Sequence, residues 1–159
     1  MINQPPLFPM RQNDITSDDY YTPKWVFDAL DLVFDIDVAS PPDGPPNTPC
    51  KAYFTQETDG LSQDWYGTVF MNPPYSNPTP WVHKWIEHGN GIALVPFIKS
   101  KWFQALWDNS DTAFAYIRVI KFDRPSKELN NQAPFALGLW AIGSKATKAL
   151  HASNLGKIR

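Results

Sequence analysis

The chain has a single cysteine, Cys50, among 159 residues. One thiol excludes an internal disulfide and a cysteine cage for zinc, and it fits a reducing compartment. Histidine is also scarce. His83, His88 and His151 share no metal-binding spacing and no carboxylate cluster joins them, so no metal site is expected. Long apolar runs are missing: none approaches the ~20 residues of a membrane span, and Met1–Met10 lacks the charged-then-apolar order of a signal peptide. These absences point to a cytoplasmic protein with neither a membrane nor a metal partner. Basic residues are few in one half only. Residues 1–75 hold three Lys/Arg against eleven Asp/Glu, a net of −8, whereas residues 76–159 hold eleven against five, a net of +6. An acidic half suits a cationic ligand and a basic half suits a polyanion such as nucleic acid.

What is present is apolar and aromatic. Hydrophobic residues make up 43% of the chain, enough for one globular domain. We read residues 1–13, with three prolines and no periodicity, as a loose arm, and 14–159 as that domain. No internal repeat is visible. Thr22 and Pro23 suit the N-cap and first position of a helix in which Trp25, Val26, Ala29, Leu30 and Val33 recur at helical spacing. FDIDVAS (34–40) reads as a strand, and the proline-rich stretch 41–49 as irregular. Residues 53–67 read as mixed loop and short elements. TVFMN (68–72) and GIALVPF (91–97) are buried strands by their apolar runs. Two helices are expected at 78–89, stopped by Gly89, and at 100–108, capped by Ser100. Trp81, Trp85, Trp102 and Trp107 fall at helical spacing and read as core, while Trp65 suits either core or site. After residue 110, two apolar runs flank the loop 126–132 with no helix between them, so an antiparallel hairpin is expected. The fold class is α/β: a mostly parallel sheet with an antiparallel C-terminal hairpin.

The stretch GTVFMNPPYSNP (67–78) carries the chemistry. Asn-Pro-Pro-Tyr alone is an ordinary turn sequence. Here it stands at the carboxyl end of a buried strand, where α/β sheets bind ligands. Two prolines stiffen the backbone, so the Asn72 side-chain oxygen and the Pro73 carbonyl can converge as fixed acceptors beside the plane of Tyr75. Two acceptors and an aromatic plate suit an amine on a flat ring, activated by positioning and fixed dipoles rather than by covalent attack. A base taken from duplex DNA would have to be flipped into such a site.

DDYYTP (18–23), FDIDVAS (34–40), YFTQETDGLSQDW (53–65), VFMNPPYS (69–76), IALVPF (92–97) and KF…QAPFALGLW (121–140) stand in the order seen in phage-type DNA N6-adenine methyltransferases, the Dam-like phage family. The resemblance covers residues 18–143. It implies a compact Rossmann-like fold dependent on S-adenosyl-L-methionine, DNA as partner, and protection of phage DNA from restriction. By resemblance, Asn72, Pro73, Pro74 and Tyr75 are the catalytic motif, with Tyr75 stacking on the flipped base. Phe135 resembles the aromatic that supports the base from another side, and equally suits a hairpin core position. Tyr21, Thr22 and Pro23 resemble the segment over the methionine end of the donor. Asp37, with Ala39 after it, resembles the acidic contact to the donor's amino group. Asp59, Gly60 and Leu61 resemble the segment that reads its adenine, and Pro96 and Phe97 the wall against that ring.

Two features depart from the broader methyltransferase pattern. No Gly-x-Gly follows Asp37, only Ala39-Ser40-Pro41-Pro42, and no clear second strand ends in an acidic residue for the ribose. Nor is there room for a separate target-recognition domain. DNA contacts would fall to Lys99, Lys101, Arg118, Lys121, Arg124 and Lys127, each of which singly also reads as a solvated charge. Three functions remain in view: methylation of adenine N6 in DNA, methylation of another amine (cytosine N4 or protein glutamine), and a degenerate methyltransferase fold that binds DNA without catalysis.

Overall fold

The computed structural model describes residues 17–117, 119–125, 131–133, 135–155 and 157–158. Within them seven strands form one sheet: β1 (Phe34–Asp37), β2 (Cys50–Tyr53), β3 (Val69–Met71), β4 (Gly91–Pro96), β5 (Thr112–Ile117), β6 (Leu137–Ile142) and β7 (Lys157–Ile158). Their order is β2-β1-β3-β4-β6-β5-β7. The first four are mutually parallel, while β6 runs antiparallel between β4 and β5. β7 pairs antiparallel with the outer side of β5. The result is a Rossmann-like α/β fold, mostly parallel with an antiparallel insertion, as the strand and helix pattern leads one to expect.

Alternation along the strands supplies both cores. From β3 and β4, Phe70, Ile92 and Leu94 join Val26, Phe27 and Leu30 of α1 (Lys24–Leu30) on one face, with Ala146 and Leu150 of α4 (Ser144–Ala152). Val69, Met71, Ala93 and Val95 join Val82 and Trp85 of α2 (Thr79–His88) on the other, with Trp102 and Leu106 of α3 (Lys101–Asp108). Gly89 ends α2 in the left-handed region, and the Ser100 hydroxyl accepts from the Phe103 N–H to cap α3, both as expected.

Several local expectations are corrected. The cap of α1 is Pro23, in extended backbone, with no side-chain bond. Thr22 is buried and its hydroxyl is engaged by the motif loop instead. Asp31, at φ 46, ends α1 after seven residues. The buried stripe is therefore Val26, Phe27 and Leu30, and Trp25 and Val33 are exposed. Trp107 is 42% exposed rather than core, although its ring touches Phe103, Phe114 and Trp140. Three elements carried no readable signal: α4, β7 and the edge strand β2. β2 lies where the second strand was missing and pairs with β1 in the register Phe34↔Cys50, Ile36↔Ala52. The N-terminal arm 1–13 lies outside the described residues.

Candidate functional site

The carboxyl ends of β1, β2 and β3 open onto a cavity of about 600 Å³, within the range of small-molecule sites. Asp37 ends β1 and lines it, 3% exposed. The Ala39 N–H donates to Asp37 Oδ1 at 3.2 Å and the Thr48 hydroxyl to Oδ2 at 2.7 Å. Burial nevertheless pushes the carboxyl up to about 6, against these two hydrogen bonds. The proline-rich stretch 41–49 thus leaves Asp37 and returns to it through Thr48. Asp18, Asp19 and Asp59 also line the cavity.

Close backbone approach comes from a later segment. Gly60 is buried, and a Cβ there would run into the Val38 carbonyl just past β1. Trp65 Nε1 donates to the Gly60 carbonyl at 2.7 Å, and Lys84 on α2 donates to the Leu61 and Gln63 carbonyls, stapling the segment down. Asp59, at φ 51, accepts from the Leu61 N–H.

β3 delivers the motif to the same rim. Asn72 and Pro74 line the cavity, and Pro73 is buried between them. The Pro74 carbonyl accepts from the Asn77 N–H at 3.2 Å, which makes a turn of the loop. No hydrogen bond reaches the Pro73 carbonyl among the described residues. Asn72 Nδ2 donates to the Tyr20 carbonyl at 2.8 Å and to Thr22 Oγ1 at 3.2 Å. Its Oδ1 has no partner among the described residues. The Tyr75 hydroxyl lies 3.4 Å from the Leu94 carbonyl, and its ring meets Phe135 edge-on at 5.5 Å. Burial, with Tyr20 adding to it, raises the phenol well above its ordinary value, so Tyr75 stays protonated. Phe135 also borders a second cavity of about 340 Å³ at the hairpin, with Ile120 and Gln132.

Of the residues singled out from the sequence, Tyr21, Thr22, Asp37, Ala39, Asp59, Gly60, Asn72 and Pro74 line the cavity together. Pro23, Leu61, Pro73, Tyr75, Pro96, Phe97 and Phe135 do not. Pro96 is paired inside β4, and Phe97 packs on Phe103, Phe114 and Tyr116 beside α3. Lys99, Lys101 and Lys121 are exposed, whereas the Arg124 guanidinium lies over the Tyr20 ring at 4.2 Å. Arg118 and Lys127 lie outside the described residues. Thr48, Thr55, Gln56 and Trp81 line the cavity without having been foreseen. Thr55 and Gln56 follow β2, the strand that the sequence concealed, and Thr48 sits in an irregular loop with no motif to mark it.

A sequence model of the family described as DNA N-6-adenine-methyltransferase (Dam) matches residues 11–151. The chain belongs to this Dam family. It is 34% identical over 97 residues to the DNA N-6-adenine-methyltransferase of Haemophilus phage HP1 (strain HP1c1), covering 54% of each chain. It is 31% identical over 156 residues to that of Escherichia phage T1, covering 91% of this chain and 62% of the relative. This Dam-family chain thus spans between 54% and 62% of the length of the two relatives. No solved structure matches it. Among the described residues no group of His, Cys, Asp or Glu has the makings of a metal site, and no helix is long and apolar enough to cross a membrane.

Proposed function

We propose that this chain transfers a methyl group from S-adenosyl-L-methionine to the N6 amine of adenine in DNA. The observation that carries the reading is the pinning of Asn72. Both N–H bonds of its amide are spent on Tyr20 and Thr22, which leaves Oδ1 as the free acceptor in a residue at the cavity rim. With the unbonded Pro73 carbonyl it makes a pair of acceptors for an exocyclic amine.

The cavity suits a cationic donor. Asp37 is a buried carboxylate with neutral hydrogen-bond partners only, and Asp18, Asp19 and Asp59 share its walls. Asp37 would hold the donor's ammonium, and Gly60 and Trp81 line the same cavity. When bound, S-adenosylmethionine supplies an electrophilic methyl carbon on its sulfonium.

The chain's own residues do the rest. Asn72 Oδ1 and the Pro73 carbonyl accept hydrogen bonds from the two amine N–H groups, which draws the nitrogen toward a tetrahedral shape and frees its lone pair for attack. The proton that the methylated amine then sheds passes to water. These dipoles are fixed before the substrate arrives, so no reorganisation is required during reaction. Tyr75 offers a ring face and keeps its proton, so it acts as a plate and not as a base. Phe135 braces it edge-on.

The test is transfer of labelled methyl to unmethylated bacterial DNA by the purified chain, followed by nucleoside mass spectrometry. N6-methyladenine is expected as product. Asn72→Ala should lower the rate by about two to three orders of magnitude, the effect of losing one preorganised polar group, while donor binding survives. Methylcytosine as product, or donor binding with no transfer to any DNA, would overturn the reading.

A further inference from the structure

The pinning of Asn72 depends on a segment far away in sequence. Tyr20 and Thr22 stand 52 and 50 positions before it. The same segment also holds the far end of the motif loop. Asp18 Oδ1 accepts from the Ser76 N–H at 3.0 Å and Oδ2 from the Ser76 hydroxyl at 2.6 Å.

This strap is itself clamped from behind. Tyr21 and Asp123 exchange backbone hydrogen bonds at 2.8 and 2.9 Å. The Tyr20 ring packs on Phe122 at 4.8 Å, and Asn47 Nδ2 donates to the Thr22 carbonyl at 3.0 Å.

A carboxamide can turn half a revolution about its last torsion at little steric cost, exchanging oxygen for nitrogen. In one orientation Asn72 presents an acceptor to an incoming amine. In the other it presents N–H groups, which repel the amine's own protons. The Tyr20 carbonyl accepts only, so it selects the first orientation. Thr22 Oγ1 adds a second acceptor on the same side. Being 6% exposed, it has little water to take its place.

We propose that Thr22 is a positioning residue for methyl transfer: with the Tyr20 carbonyl it aims Asn72 Oδ1 at the target amine. The family resemblance gives Thr22 only a place near the donor. Here its hydroxyl acts on the amine side of the reaction, through Asn72. The inference rests on the proposed amine chemistry.

The test compares the unaltered chain with Thr22→Val and Thr22→Ser on unmethylated bacterial DNA. The readouts are kcat, KM for DNA, donor affinity by calorimetry, and melting temperature. Valine keeps the shape and removes the acceptor, so kcat should fall about tenfold, the worth of one buried hydrogen bond. Donor affinity should stay within about twofold, and serine should restore kcat. Should the valine variant melt at a much lower temperature, Thr22→Ala is read in its place. An unchanged kcat overturns the inference, as does a donor affinity that falls in step with kcat, or a serine variant that fails to rescue. A wild-type chain that binds donor yet methylates nothing overturns the proposed function instead.

Discussion

The Thr48 hydroxyl donates to Asp37 Oδ2 across 2.7 Å, closing a proline-rich loop onto the end of the first strand. Both partners of the Asp37 carboxylate are neutral, and burial lifts it from the usual 3.8 to about 6. The folded chain therefore holds this proton more tightly than the unfolded chain. The advantage is full below about pH 4 and lost as pH rises through about 6, beyond which the ionised group costs about 3 kcal/mol. Asp37→Asn should accordingly melt higher than wild type at pH 7.5 without donor, with the gap closing near pH 4. The same variant should lose donor affinity, and wild-type donor affinity should itself weaken from pH 7 to pH 5. Melting curves at two pH values and calorimetric titrations check both statements; a variant less stable at pH 7.5 counts against them.

Gly60 has no room for a methyl group, because the Val38 carbonyl occupies the place of its Cβ. Gly60→Ala must push the segment 55–65 away from β1. We expect a loss of roughly 1–3 kcal/mol in stability, typical of overpacking, and a weaker donor site. A denaturant melt and a donor titration measure the two effects. Wild-type values in both would show that the segment gives way freely.

Tyr75 separates ring from hydroxyl. Its O–H meets the Leu94 carbonyl at 3.4 Å, a long hydrogen bond, whereas its ring packs on Phe135. Tyr75→Phe should retain most activity. Tyr75→Ala should lose at least about tenfold in kcat/KM, since stacking of a base on an aromatic ring is worth ~1–3 kcal/mol. Equal losses in the two variants would assign the role to the hydroxyl.

Lys99 and Lys101 follow β4 at the rim that bears Asn72, both exposed, with no ion pair among the described residues. If they meet phosphates, the double variant Lys99→Gln, Lys101→Gln should flatten the plot of log affinity for DNA against log salt by about two units. Donor affinity should not change. An unchanged slope would place the nucleic acid elsewhere.

Much of the frame was legible because it rests on local rules. VFM and IALVP are apolar runs that only a strand buried on both faces explains, and Ser100 and Gly89 punctuate helices where their chemistry requires it. β2 escaped notice because an edge strand with one half-exposed face need not be continuously apolar, and Lys51 breaks its run. α4 escaped notice because it buries little beyond Ala146 and Leu150. Phe97, expected from the resemblance beside the donor ring, follows β4 to the same rim, and its ring packs on Phe103 of α3.

By itself the sequence determined the order of blocks, the acidic and basic halves, and the delivery of Asn72-Pro73-Pro74-Tyr75 to a strand end. Those follow from periodicity and from the stiffness of proline, which act between near neighbours. Tertiary structure decided what surrounds the motif. It set Tyr20 and Thr22 on the Asn72 amide, Thr48 on Asp37, and Gly60 on the Val38 carbonyl in place of a glycine loop after β1. Each of those contacts joins residues 11 to 52 positions apart, and no local pattern specifies which distant backbone will arrive. The proposed amine clamp is written in four consecutive letters, but the partners of its Asn72 amide come from a strap 50 to 52 positions earlier in the chain.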